Sequence, residues 1–257
     1  MLEIGKKKYG FNYKLDGVQL INTEAEKDIG VTVDNKLNFE AHMQEKINKA
    51  NSIMGLIRRV FTSLDHETFN KLYKGVVRPH LEYANPVWSP SLKKNIIAIE
   101  NVQRRATKCI PGMQNLEYKE RLQTLKLPTL VYRRLRGDMI ETYKIISGLY
   151  DEEVGNMFLM YSDVVGRHGI RGHNKKIYKF MSSCRPRKHF FTQRVVDIWN
   201  NLPSKVVNAP STKSFENRLD KLWKKQEILY DFEALIKKEP NRADKEKKEY
   251  VDLDIED

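Results

Sequence analysis

The chain has 257 residues, 40% of them hydrophobic and 10% aromatic, with 46 Lys+Arg against 34 Asp+Glu, a formal net charge of +12. That apolar content excludes a disordered chain and leaves room for one large or two modest domains, while two cysteines, Cys109 and Cys184, exclude a disulfide framework and suit a reducing compartment. No apolar run approaches ~18 residues and MLEIGKKKYG has no apolar h-region, so a soluble, intracellular chain in nucleus or cytoplasm is expected. The charge is uneven. Residues 226–257 hold 6 basic and 11 acidic residues (net −5), so residues 1–225 hold 40 and 23 (net +17). A body that basic points to a polyanionic partner, nucleic acid first and an acidic membrane second.

Residues 9–21 alternate, with Tyr9, Phe11, Tyr13 and Leu15 before Asp16-Gly17 and Val18 and Leu20 after it, which is a hairpin signal. A further strand is expected at Ile29–Val33, making residues 1–36 the edge of something larger. From Asn38, an acceptable N-cap, the period becomes helical: Met43, Ile47, Ala50, Met54, Ile57 and Phe61 form one stripe. Arg58 and Arg59 fall near its C-terminus, where cations also meet the helix dipole. Asp65 starts a second helix with Phe69, Leu72, Tyr73, Val76 and Val77, ended or kinked by Pro79. Asn85-Pro86 and Ser89-Pro90 bend the chain around Trp88. Leu92, Ile96, Ile99, Val102/Gln103, Ala106 and Ile110 then form a helix face, flanked by Lys93, Lys94, Arg104, Arg105 and Lys108.

Pro111-Gly112 is a turn, and a short helix follows with Tyr118, Leu122 and Leu125 inward. Pro128 opens a longer one, with Val131, Leu135, Met139 and Tyr143 as its stripe and Gly148 at its end. Arg133, Arg134 and Arg136 lie off that stripe. Residues 149–165 read as a connection, followed by the Gly-, His- and Lys-rich run GRHGIRGHNKKIYKF, extended or irregular, and by Arg185, Arg187 and Lys188. A helix begins at Phe190-Phe191, carries Val195, Val196, Ile198 and Trp199, and closes at Asn201 and Pro203. Ser211 or Thr212 caps the last one, with Phe215, Leu219, Leu222 and Trp223 apolar. From about residue 237 the composition suits a frayed or disordered tail. The expected fold is mainly α: a helical bundle over 37–150, a small β remnant over 1–36, a smaller α+β or helical appendage over 151–225 and a charged tail over 226–257.

Catalytic chemistry is not visible. His168, His173, Cys184 and His189 lack the paired ligands and second cysteine usual for zinc, there is no G-x-S-x-G or Walker loop, and Asp252, Asp254, Glu256 and Asp257 read as solvated charge. No cofactor is expected in this chain. Four basic clusters stand out instead: Arg58/Arg59; Arg104/Arg105/Lys108; Arg133/Arg134/Arg136; and Lys175, Lys176, Arg185, Arg187 and Lys188. Three lie on helices whose other faces are apolar, an arrangement that anchors a helix while presenting cations to phosphates without reading sequence. Tyr178, Phe180 and Phe190 among the fourth are either core residues or stacking platforms for unpaired bases.

Several blocks are more specific. KDIGVTVDNKLNFEAHMQEKINKAN, YKGVVRPHLEYANPVWSPSLKKNIIAIENVQRRATKCI, LPTLVYRRLRGDMIETYKIISG and FFTQRVVDIWNNLPSKVVNAPSTKSFENRLDKLW, in this order over about residues 27–225, resemble the region beyond the palm in LINE-type (non-LTR, jockey-like) retrotransposon reverse transcriptases. The resemblance implies the last palm-edge strands, a helical thumb that grips RNA or an RNA/DNA template–primer, and the C-terminal region. It implies contact with the remaining polymerase domains and no membrane partner. The family's palm holds two Mg²⁺ on an aromatic-x-Asp-Asp turn and neighbouring carboxylate. This sequence lacks that turn: Tyr83-Ala84-Asn85-Pro86 is superficially similar but has no carboxylate, and the endonuclease is also missing. The isolated chain is therefore expected to be no enzyme. A degenerate element fragment, or a structural or interaction protein, is the alternative.

Overall fold

The computed structural model describes residues 1–5, 10–166 and 172–237, so Tyr9, His168 and the tail from 238 lie outside the described residues. The fold is mainly helical, with two small antiparallel hairpins at its N-terminal end. β1 (Lys14–Leu15) and β2 (Val18–Gln19) flank Asp16-Gly17, whose φ values of 50° and 81° are the positive pair that a two-residue hairpin needs. β3 (Ala25–Asp28) and β4 (Val31–Asp34) pair around Ile29-Gly30. The strand expected at Ile29–Val33 thus starts two residues later. Gly30, at φ 76°, fixes the turn there and leaves Ile29 exposed at φ 41°.

α1 (Glu40–Val60) is preceded by a loop wound on Asp34, not capped by Asn38. The Asp34 carboxylate accepts from the backbone N–H groups of Lys36, Asn38 and Phe39 at 2.9, 3.2 and 2.6 Å. Met43, Ile47, Ala50, Met54 and Ile57 are buried, as their spacing predicts, whereas Phe61 lies past the helix end and is exposed. His42 is also fully buried: its Nδ1 accepts from the Thr32 N–H at 3.2 Å, and its ring lies 5.4 Å from that of Trp88. Protonation would set two N–H groups against each other, and burial with the charge of Lys46 lowers the His42 pKa, with Glu45 pulling the other way and Lys27 adding to the lowering. The unfolded chain therefore takes up this proton first as pH falls below about 6.5. We expect the stability advantage of the native protein over His42→Gln to shrink from pH 7.5 to pH 5, by up to about 1.4 kcal/mol per pH unit once the mismatch is complete. Urea titrations at several pH values check this; parallel curves would contradict it.

α2 (His66–Leu72) is capped by Asp65, whose carboxylate accepts from the Thr68 N–H at 2.9 Å. The helix does not stop at Pro79. It widens into a π turn over Tyr73–Val77 and continues as α3 (Arg78–Glu82), with Pro79 in the first turn. The Arg78 N–H reaches back to the Tyr73 carbonyl, and the wider turn accommodates a ring that has no N–H to donate. The inserted residue also rotates the buried face, so Val77 is inside while Val76 is exposed. The bend before Trp88 sits at Tyr83 and Ala84 (φ 53°), one step earlier than the prolines suggest, and Asn85 is already helical in the single turn α4 (Asn85–Trp88). Trp88 is buried, and its Nε1–H donates to the Tyr83 carbonyl at 2.6 Å.

α5 (Lys93–Thr107) buries Ile99, Val102 and Ala106 in one core, which Ile110 joins, and Ile96 in another. α6 (Tyr118–Leu125) turns inward on Leu122 and Leu125 behind a Glu117/Glu120 capping box. Thr129, not Pro128, begins α7 (Leu130–Ile146): its Oγ1 accepts from the Tyr132 N–H at 3.1 Å, so Pro128 stays outside the helix. Gly148, at φ 69°, lies just beyond the C-terminal end of α7.

Two hydrophobic cores meet along α7. Leu130 joins the core of α1, α2, α5 and α6, whereas Val131, Tyr132, Met139, Tyr143 and Ile145 join the second. Both cores therefore draw on this one helix. Two single turns, α8 (Glu152–Gly155) and α9 (Tyr161–Val165), precede the C-terminal elements. These are α10 (Arg185–His189), α11 (Phe191–Arg194), α12 (Val196–Asn200), α13 (Ser204–Val207) and α14 (Thr212–Trp223), the last capped by Ser211. Trp199, Phe215, Leu219 and Trp223 centre this core, with Tyr143 and Phe215 stacked at 4.5 Å. Residues 226–237, expected in the charged tail, belong to the fold. Ile228 and Ile236 are buried, and Thr129 donates its Oγ1–H to the Ile228 carbonyl (2.7 Å) and its N–H to that of Leu229 (2.9 Å).

Candidate nucleic-acid interface

α1 and α5 lie side by side and parallel, in a fixed register. Lys94 meets Glu40 at 2.6 Å near both N-termini, and eleven residues further along each helix Arg105 Nη2–H donates to Asn51 Oδ1 at 3.2 Å. The first two basic clusters are thereby brought together at the C-terminal ends. Residues 46–64 and 101–116 contain no Asp or Glu, yet they carry Lys46, Lys49, Arg58, Arg59, Arg104, Arg105 and Lys108. Arg58, Arg59, Arg105 and Lys108 are exposed, and no ion pair among the described residues involves them. At 1.5 Å per residue these four cations span about 12 Å of helix length. Burial pushes the Cys109 thiol up while the charge of Arg58 works against it, which places Arg58 beside the end of α5. The helix dipoles account for cations in the last turns, but not for the absence of carboxylates around them.

Arg104 turns away from this patch. It is half-buried, with its guanidinium carbon 5.1 Å from the Tyr118 ring centroid and 5.3 Å from that of Phe232. The third cluster is engaged within the fold, with Arg133 and Arg136 half-buried and Arg134 buried. Arg133 forms a two-pronged pair with Glu82 (Nη2 to Oε2, 2.8 Å), and Arg136 another with Asp220 at 2.6 and 2.9 Å. Arg134 is 5% exposed, and burial lowers its pKa against the opposing pull of Glu100 and Asp138. A phosphate does not reach Arg134 without opening the fold. The expectation of a solvated basic flank on α7 gives way because both flanks are packed.

The charges that meet Arg134 form a buried chain. Glu100, 1% exposed, accepts from the Tyr118 hydroxyl at 2.6 Å and from the Leu130 N–H at 3.0 Å, holding the start of α7; burial raises its pKa. Asp138 accepts two bonds from Arg194, at 3.0 and 3.1 Å, and one from Asn85 Nδ2 at 3.3 Å; burial raises its pKa and the Arg194 charge opposes the rise. Arg194 also donates to the Pro86 carbonyl at 3.1 Å, so one side chain ties α4, α7 and α11 together. Sequence reading missed Arg194, Asp138 and Glu100, because each stands without a like neighbour to form a doublet.

The fourth cluster divides. Lys175 and Lys176 are half-buried, and burial lowers the Lys176 amine. Arg185 and Arg187 are exposed and Lys188 half-buried on α10, where Arg185 Nη2–H donates to Ser91 Oγ at 3.4 Å. That contact sets α10 beside the start of α5, at the opposite end of the α1–α5 pair from Arg58, about 28 Å away by helix rise. Tyr178 packs edge-on against Phe180 at 5.2 Å; Phe180 and Phe190 are exposed. His173 is buried, its Nε2 3.1 Å from the Trp199 carbonyl. Among the described residues no cluster of His, Cys, Asp and Glu suits a metal ion, and no helix is long and apolar enough to cross a membrane.

No family model and no solved structure matches this chain. An uncharacterised protein of Caenorhabditis elegans is 27% identical over 128 residues, 48% of this chain. The match spans 64% of that protein's length.

Proposed function

We propose that this chain binds nucleic acid through the phosphate backbone, as the thumb and C-terminal part of a LINE-type reverse transcriptase. The carboxylate-free patch of Arg58, Arg59, Arg105 and Lys108 carries the reading, because four exposed cations held by two packed helices supply affinity without sequence readout. The order of the sequence blocks supports the family. RNA and an RNA/DNA template–primer are the ligands, the remaining polymerase domains the protein partners, and the cell interior the location. Nucleotidyl transfer is not expected of this chain alone, since the Asp-Asp turn that would hold Mg²⁺ is not in its sequence.

Fluorescence anisotropy with a labelled blunt RNA/DNA hybrid tests this. Binding is expected at ~50 mM salt, falling by about 100-fold by ~200 mM if four phosphates are neutralised. No binding at ~50 mM would overturn the reading and leave a structural or lapsed element fragment.

A further inference from the structure

Lys108 has a second position besides the basic patch: it lines the rim of an open hollow of about 560 Å³ between the α5–α6 turn and the chain at Tyr230–Glu233. Tyr118, Tyr230 and Phe232 line it together with Arg104, whose guanidinium lies against the Tyr118 and Phe232 rings. Glu117, Asp231 and Glu233 stand on the remaining rim, with Lys119 and the buried Arg121 among them. Two of these carboxylates are already engaged. Glu117 belongs to the capping box of α6, and Asp231 faces Lys119 at 3.7 Å and accepts from the Glu233 N–H at 3.2 Å. The Glu233 side chain is exposed and makes no ion pair among the described residues.

We propose that this hollow takes an unpaired base from a strand whose phosphates run over Lys108 and Arg105. This deepens the nucleic-acid reading and rests on it. The chemistry divides the site in two. Lys108 on the patch side favours phosphate, while on the far rim Lys119 is taken up by Asp231 and Glu233 is left to accept from exocyclic amino groups such as cytosine N4–H. Between them lie aromatic rings and a planar guanidinium, the surfaces on which unpaired bases stack. A blunt duplex offers neither a free base face nor a free Watson–Crick edge, so only an unpaired segment uses the hollow. Glu233 is the acceptor for the base edge and Phe232 the stacking ring.

The test compares three ligands on the full chain: a blunt RNA/DNA hybrid, the same hybrid with a five-nucleotide cytidine extension, and one whose extension is abasic. The cytidine extension is expected to bind about tenfold tighter than the abasic one. Phe232→Ala should erase that gain and leave blunt-hybrid affinity unchanged. Because Phe232 is half-buried, Glu233→Ala at an exposed position provides a second variant. It should remove a preference for a cytidine over a uridine extension. Equal binding of the cytidine and abasic extensions by the native protein overturns the proposal while leaving the patch intact. A chain that fails to bind the blunt hybrid overturns both.

Discussion

Asp138→Ala is expected to cost about 3–5 kcal/mol of unfolding free energy. The carboxylate is 2% exposed and holds Arg194 by two hydrogen bonds, with Arg134 buried nearby. Truncation leaves both guanidiniums without this counter-charge, and the loss is large because an uncompensated buried charge is far from water. Against a typical domain stability of about 5–15 kcal/mol, such a change puts folding at risk. The companion result separates the pair's contribution from the cost of breaking it. Asp138→Leu combined with Arg194→Met replaces the ion pair by apolar volume and should recover much of the loss, even though Arg194 also donates to the Pro86 carbonyl. Equilibrium denaturation of the native protein, the single variant and the double variant reads both values. A single variant within about 0.5 kcal/mol of native would mean that the two cores do not depend on this junction.

Reversing Arg58, Arg59, Arg105 and Lys108 to Glu is expected to weaken hybrid binding by about 100-fold or more at ~100 mM salt, since four attractive contacts become repulsive. Stability should fall by about 1–4 kcal/mol in total. These side chains are exposed, but they sit at helix C-terminal ends, where each cation contributes about 0.3–1 kcal/mol through the dipole. The opposite pattern is expected on α7. Arg133→Ala and Arg136→Ala break the pairs with Glu82 and Asp220, so they lower the melting temperature and leave binding by the folded protein unchanged. Anisotropy and thermal melts on the same preparations distinguish the two behaviours. Binding lost through the α7 variants with unchanged melting would move the interface to a surface where these arginines are not free.

Local rules account for much of this architecture. The Asp16-Gly17 hairpin, the Met43–Ile57 stripe, the Asp65 cap and the Ile96–Ile110 face all follow from periodicity and turn chemistry, which depend on neighbours in sequence. What sequence leaves open depends on a second partner. Arg134 is off the Val131 stripe and would be solvated on a helix with one packed face, but α7 has two. The partners that claim its flanking charges are remote: Glu82 is 51 residues from Arg133, Asp220 is 84 from Arg136, and Asp138 is 56 from Arg194. Of the end or kink expected at Pro79, the helix does not end there because a π turn accommodates the ring, and nothing within one turn of sequence announces that turn. The basic patch itself is half-legible. Each Arg pair is visible alone, but their convergence requires the parallel packing of α1 and α5, whose register Glu40–Lys94 and Asn51–Arg105 mark. The hollow is less legible still, because Tyr230 and Phe232 lie in a stretch whose net acidity reads as tail.

The dependence of hybrid affinity on salt, measured for the native protein and for a variant with alanine at 58, 59, 105 and 108, tests the patch most directly. Each phosphate contact contributes about 0.9 to the slope of log K against log salt, so the variant should be shallower by about 3 to 4 with its fold intact. An unchanged slope would place the phosphate contacts elsewhere on the molecule and contradict the assignment of this interface to α1 and α5.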